Sequence, residues 1–300
     1  MSARRDDPEV AEALALLGAV DASEESIYPY SPVFRATLDG RPVVVKRTRR
    51  STPAAIATWV RTLAANGFPV VTPVSEPVRD SSGAAWVAYP WIDGRPYQPS
   101  SHDIAAAGDL LGRLHAWDGA PSGIPTFRWP SYEPGEIAAD LARYEPLAEE
   151  PVLTRLRDLA PRFESELLPA MRAGDLPYVD ATSDYKATNL IYTPDGPVVV
   201  DPDNGEHLPR VLDLALAVIL FHTDTESHRS FTSDEWITFR TAYLAHVRLT
   251  VDERALWAVA LDYQIWEEGG WALEDSDWSD PARPAFLAEA LCADASRFPL

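Results

Sequence analysis

The spacing of apolar and polar positions divides the chain into a strand-rich beginning and a longer helical remainder. The first twenty residues carry valine, alanine and leucine at helical spacing and predict an amphipathic helix. Residues 27–38 and 42–47 are β-rich runs on either side of Asp39-Gly40, a pair that closes tight hairpins. Lys46 ends the second run, Val-Val-Val-Lys. Residues 53–65 predict a helix, with Ser51 or Thr52 as cap and Asn66-Gly67 at its close. Two further strands are expected over 70–78 and 84–90, parted by an Asp-Ser-Ser-Gly turn, and the turn-rich residues 91–97 read as a linker.

From residue 101 onward the period is mainly helical. Helices are expected over 104–117, 136–147, 152–172, 209–222, 233–247, 252–268 and 282–294. Residues 118–135, rich in proline, glycine and aromatics, read as a long loop. A short hairpin turning on Pro194-Asp195-Gly196 is expected over 189–201. The chain shows no repeat and no low-complexity tract. The expected fold class is α+β: a small β-rich N-lobe over 1–92 with one long helix, and a larger, mainly helical C-lobe over 93–300, with a cleft between.

Composition narrows the function classes. No apolar run approaches eighteen residues, so no membrane span is expected. The N-terminus sets acids beside its arginines and lacks a cleavage-site pattern, which makes a soluble, cytoplasmic protein the expectation. Cys292 is the single cysteine, so neither a disulfide framework nor a cysteine-based metal site is expected. The formal charge is −20, and residues 1–100 hold eleven acids against eleven bases, so all of that charge falls in 101–300. Such an acidic second half repels nucleic acid and anionic lipid and attracts cations; general solubility accounts for it equally well.

Only two of the 26 basic residues are lysines, Lys46 and Lys186. A compact ammonium on a flexible stem is not interchangeable with a guanidinium, so these two positions are candidates for chemistry. None of the six histidines pairs at metal-ligand spacing, and His115 and His246 are expected to pack on helix faces. No Gly-x-Ser-x-Gly elbow supports a serine hydrolase. Residues 261–280 hold seven acids, no base and three tryptophans. That tract reads either as a solvated helix end with core tryptophans or as the wall of a cation site.

Phosphoryl transfer needs a cation on the phosphates that stay behind, metal ligands, and a carboxylate to orient the attacking hydroxyl and take its proton. Ser183-Asp184-Tyr185-Lys186-Ala187-Thr188-Asn189-Leu190, followed by Val198-Val199-Val200-Asp201-Pro202-Asp203-Asn204, resembles the aminoglycoside-phosphotransferase and choline-kinase-like family, itself related to protein kinases. The resemblance covers roughly residues 25 to 222 and implies a two-lobed protein-kinase-like fold using ATP and Mg2+. It implies Asp184 as catalytic base, Lys186 near the γ-phosphate, Asn189 and Asp201 as metal ligands, and Lys46 on the α- and β-phosphates. Asp203 either touches a second metal or caps its turn. Leu111-Gly-Arg-Leu-His-Ala-Trp117 resembles the helix leading to the catalytic region, and Asp213 the acid that braces the catalytic loop. The backbone around Tyr89 and Trp91 would face adenine, and the segment containing Ser31 stands where other kinases carry a glycine-rich loop.

Three departures accompany the match. Thr182-Ser183 stands where the family has His-Gly; residues 53–66 contain no acid to pair with Lys46; and no glycine-rich loop is present. Asp201, Glu24 or Glu25 are the candidate partners for Lys46. The implied acceptor is a hydroxyl on a small cationic molecule of aminoglycoside or peptide-antibiotic type, bound by Glu267, Glu268, Trp271 and Asp275. The implied setting is antibiotic resistance or natural-product biosynthesis. Alternatives are a kinase of Ser or Thr side chains in a peptide acceptor, favoured by Lys186, and a nucleotide-binding pseudokinase scaffold, favoured by the departures.

Overall fold

The computed structural model describes residues 3–28, 31–48, 52–119, 122–222, 225, 229–274, 288–291, 293 and 295–300, without the Trp271 side chain. In chain order the elements begin with α1 (Pro8–Leu17), β1 (Val33–Leu38), β2 (Arg41–Thr48), α2 (Pro53–Ala65), β3 (Val78–Arg79), β4 (Ala85–Pro90) and β5 (Arg95–Pro96). There follow α3 (Ser101–Ala116), α4 (Glu136–Tyr144), α5 (Glu150–Arg162), α6 (Leu168–Ala173), β6 (Tyr178–Ala181), β7 (Leu190–Thr193), β8 (Gly196–Val199) and β9 (Glu206–Pro209). The last helices are α7 (Arg210–Leu220), α8 (Ser233–Leu244), α9 (Val251–Ala255) and α10 (Trp257–Glu274). Contacts divide the chain into two units: Met1–Arg95 with Gly119–Pro125 and Leu190–Gly205, and Pro96–Asp118 with Thr126–Asn189 and Glu206–Leu300.

The first unit is built on an antiparallel sheet in the order β1-β2-β4-β3. Asp39 and Gly40 both take positive φ, 49° and 74°, as a two-residue hairpin turn requires, and the ladder closes at Leu38 opposite Arg41. α1 lays Val10, Ala13, Leu14 and Leu17 on one sheet face, against Phe34, Ala36, Val43, Val45, Trp86 and Ala88. Because side chains alternate along a strand, Val87 and Tyr89 emerge on the other face, where they pack with Val71, Val198 and Val200. Lys46 stands opposite Val87 in the β2–β4 ladder and therefore shares that second face. The β7–β8 hairpin is tied on through the Val71 N–H to Val199 O bond, 3.0 Å, and the Val199 N–H to Pro69 O bond, 2.9 Å.

The second unit is mainly helical. α3 approaches α8 closely: a Cβ on Gly108 would lie 2.2 Å from the Phe239 carbonyl oxygen, so no larger residue fits. Nearly every side chain of α7 is buried, including Asp213, and the buried Arg210–Glu253 pair fastens its start. Among the described residues no helix is long and apolar enough to cross a membrane.

The boundaries depart from the sequence expectation where proline and glycine act through packing. The run 70–78 forms strand only at Val78–Arg79, since Pro73 and Pro77 have no N–H to give a ladder. The helix expected over 152–172 is split into α5, a π-helical stretch Phe163–Leu167 and α6, with prolines at 161 and 169. α10 runs through Gly269-Gly270 instead of stopping there. Added Cβ atoms would meet Leu291 at 2.9 Å and the Tyr144 hydroxyl at 2.3 Å, so these glycines make room for neighbours. The expected helix over 282–294 lies largely outside the described residues.

Candidate active site

On the second sheet face of the first unit, Lys46 meets two carboxylates. Its Nζ lies 2.5 Å from Asp201 Oδ1 and 3.1 Å from Asp203 Oδ2. The Tyr89 hydroxyl donates to Asp203 Oδ1 at 2.5 Å. Burial pulls the Lys46 pKa down, but Asp201 and Asp203 outweigh it and hold it above the ordinary lysine value. Burial also pushes Asp203 above the usual carboxylate range, with Lys46 opposing and Asp201 adding to the shift. Of the acids weighed as partners for Lys46, Glu25 binds Arg4 at 3.0 Å instead, and Asp201 is in contact. Asp203 is a second partner that the sequence did not suggest.

In the second unit Asp184 follows β6 in a tight loop. Asn189, in the 3-10 turn Ala187–Asn189, donates through Nδ2 to the Asp184 backbone carbonyl at 2.9 Å and to its carboxylate Oδ2 at 3.0 Å. Lys186 Nζ lies 3.3 Å from Asp184 Oδ1. Tyr185 between them points inward, and its hydroxyl donates to the Ala107 carbonyl at 2.8 Å. Ser183, immediately before Asp184, holds a left-handed φ of 51°, and its N–H donates to Asp213 Oδ1 at 3.1 Å. The other Asp213 oxygen is 2.8 Å from His115 Nε2, whose Nδ1 is 3.0 Å from the Tyr243 hydroxyl. His115 therefore does more than pack on a helix face: it is a buried member of the brace beneath the loop. His246 lies 2.7 Å from Asp109.

The acidic tract resolves into acids with different partners. Asp262 pairs with Arg155 and Arg162, and Glu274 with Arg143 at 2.8 Å. Glu267 accepts the Tyr132 hydroxyl at 2.7 Å. Glu268, half-buried on α10, makes no ion pair or hydrogen bond among the described residues. Burial pushes its pKa up to about 7, with Asp184 and Glu267 adding to the shift and Lys186 opposing. Trp266 is buried against Phe163 and Tyr144, in keeping with a core tryptophan. Asp275 and the side chain of Trp271 lie outside the described residues.

The remaining expected site residues belong to the first unit. The Ser31 carbonyl accepts the Ser26 hydroxyl at 2.8 Å. The Trp91 N–H is bonded to the Pro42 carbonyl at 3.0 Å, and Arg35 stacks over the Trp91 ring at 4.4 Å. The Ala88 carbonyl accepts the Val74 N–H at 2.9 Å, so neither of these two backbone groups is offered to a ligand.

Comparison with known proteins follows the same lines. The family model APH, described as the phosphotransferase enzyme family, matches residues 30–259. Solved structures of similar fold include an amicoumacin kinase in complex with AMP-PNP, Ca2+ and its ligand. It is 18% identical, with 95% of this chain and 92% of that one covered and a TM-score of 0.66. A microcompartment-associated aminopropanol kinase gives 15% identity, 97% coverage of both chains and a TM-score of 0.65. A choline kinase from Streptococcus pneumoniae gives 16%, 94% and 96% coverage, and 0.55. At these identities the likeness is one of fold, the protein-kinase-like α+β arrangement. No curated protein sequence matches the chain.

Proposed function

Because this chain belongs to the phosphotransferase enzyme family, we propose that it is an ATP-dependent kinase acting on a hydroxyl of a small cationic molecule. The observation that carries the cationic acceptor is Glu268. It is a half-buried carboxylate whose proton Asp184 helps to hold and Lys186 offsets only in part, and among the described residues it forms no ion pair, while Asp262 and Glu274 of the same helix are taken by arginines. An acceptor ammonium would supply the missing charge and bring a neighbouring hydroxyl toward Asp184.

In this reading Asp184 accepts a hydrogen bond from the acceptor hydroxyl and takes its proton as the oxygen bonds to the γ-phosphorus and the bond to ADP breaks. Asn189 fixes Asp184 through both its backbone and its carboxylate. Lys186, beside the same carboxylate, offers positive charge to the phosphoryl oxygens in transit. Lys46 takes the α- and β-phosphates.

The donor set suits magnesium. The Asn189 amide nitrogen is spent on Asp184, which turns its carbonyl oxygen to the other side, and the Asp201 side chain keeps 34% of its surface exposed. Each by itself offers a hard oxygen donor, of the kind that Mg2+ takes alongside nucleotide phosphates. Held by such a donor, the ion would neutralise phosphate charge.

The test is ADP release with a panel of hydroxyl acceptors: an aminoglycoside, an amino alcohol, choline, a basic serine-containing peptide and a neutral polyol. Turnover with a cationic small molecule, with KM rising as salt is added, is the expected result. Equal turnover on the polyol, flat with salt, contradicts it. The contact of Lys186 with Asp184 favours a second reading, a peptide Ser or Thr kinase, which the peptide in the panel reports.

A further inference from the structure

Resting on the reading that Lys46 holds nucleotide phosphate, we propose that Asp203, fixed by the Tyr89 hydroxyl, is the positioning residue that anchors Lys46, in place of the acid that α2 lacks. A buried ammonium needs a carboxylate that stays with it, and losing one member of such a pair is far costlier than never having had it. α2, Pro-Ala-Ala-Ile-Ala-Thr-Trp-Val-Arg-Thr-Leu-Ala-Ala, holds no acid, and its one charged residue, Arg61, pairs with Glu76 at 2.8 Å.

What α2 offers instead is apolar surface. Ile56 and Trp59 press on the turn that follows Asp203 so closely that a Cβ on Gly205 would lie 2.5 Å from the Trp59 ring and 3.0 Å from Ile56 Cδ1. Helix and turn meet without space for a side chain at 205, and the carboxylate is supplied by the turn itself. Strand alternation completes the device. Lys46 and Tyr89 share one sheet face, Tyr89 hydrogen-bonds Asp203 Oδ1 at 2.5 Å, and Lys46 stands 3.1 Å from Oδ2, an ion pair that leaves the Lys46 ammonium the one cation facing that buried oxygen among the described residues.

Asp201 and Asp203 then divide the work. The Asp203 side chain is 9% exposed, hydrogen-bonded at Oδ1 and ion-paired but not hydrogen-bonded at Oδ2, whereas the Asp201 side chain is 34% exposed. Asp201 is the acid suited to exchange Lys46 for a ligand; Asp203 keeps Lys46 placed while it does.

Two measurements test this. Lys46→Met and Asp203→Asn are compared singly and together by urea unfolding of the nucleotide-free protein. Each single change lowers the midpoint, and the double change costs clearly less than the two losses added. Calorimetry with ADP and no divalent metal then reads the positioning. Asp203→Asn weakens ADP about tenfold and Tyr89→Phe about threefold, with partial recovery in Asp203→Glu, the scale of a misplaced charge-assisted contact. Additive unfolding losses overturn the proposal. So does a loss of ADP affinity seen only with Mg2+ present, which would make Asp203 a metal ligand. A wild-type protein that shows the unfolding coupling yet binds no ADP keeps the anchor and overturns the phosphate reading alone.

Discussion

The backbone N–H of Ser183 donates to Asp213 Oδ1, and that 3.1 Å bond holds a left-handed residue immediately ahead of Asp184. A side chain with positive φ costs roughly 1–3 kcal/mol, so the loop conformation is imposed by its support. That support is buried, with Asp213 and His115 both sealed from solvent and joined at 2.8 Å.

Removing the brace should therefore cost stability that removing the strain does not. Asp213→Ala leaves the Ser183 N–H and the His115 ring without their acceptor, and urea unfolding should show a loss of about 2–5 kcal/mol. Ser183→Gly fits the same φ without a side chain and should stay within about 1 kcal/mol of the wild type. A loss below about 1 kcal/mol for Asp213→Ala would show that the loop is held by something else.

The elevated Glu268 pKa gives a second prediction, with its sign fixed by linkage. A carboxyl raised from 4.5 to about 7 in the folded chain binds protons more tightly there than in the unfolded chain. Its contribution is fully present below pH 4.5 and is lost as pH rises through about 7. Glu268→Gln should thus match the wild type near pH 4 and melt at a higher temperature at pH 8. In assays, the KM of a cationic acceptor should fall as pH rises through about 7 and lose that dependence in Glu268→Gln. A wild-type KM flat across that range would remove Glu268 from acceptor binding.

Metal dependence supplies the third. Asp201 contacts Lys46 at 2.5 Å, so a metal that takes Asp201 competes with the lysine. Calorimetric titration of ATP should show tighter binding with Mg2+ than without it. Asp201→Ala should abolish the difference while retaining metal-free binding. An unchanged Mg2+ effect in that variant would assign the metal to other ligands.

Much of this molecule was readable from local pattern. The hairpin at Asp39-Gly40, the helix over 53–65 and the family membership all follow from short segments, where turn chemistry, period and motif speak for themselves. What escaped were pairings across great sequence distance. Asp201, 155 residues from Lys46, is one of three partners that the sequence offers it, and nothing in the sequence points to the His115–Asp213 contact, 98 residues apart; no local rule selects either pair. The composition of the acidic tract leaves its role open, because among the described residues arginines elsewhere in the chain pair with Asp262 and Glu274 and not with Glu268. Gly269-Gly270 looked like a helix end because glycine usually is one; only the packing of Leu291 and Tyr144 shows why the helix continues.

If Asp184 handles the acceptor hydroxyl, Asp184→Asn removes the group that takes its proton. The amide keeps the size and one acceptor oxygen of the carboxylate but takes no proton. Phosphoryl transfer, measured with whichever acceptor the panel identifies, should fall by about 10²–10⁴-fold. ADP affinity by calorimetry should stay within about threefold, since the proposed role of Asp184 is on the acceptor hydroxyl and not on the nucleotide. Transfer that survives at the wild-type rate in Asp184→Asn would take Asp184 out of the reaction.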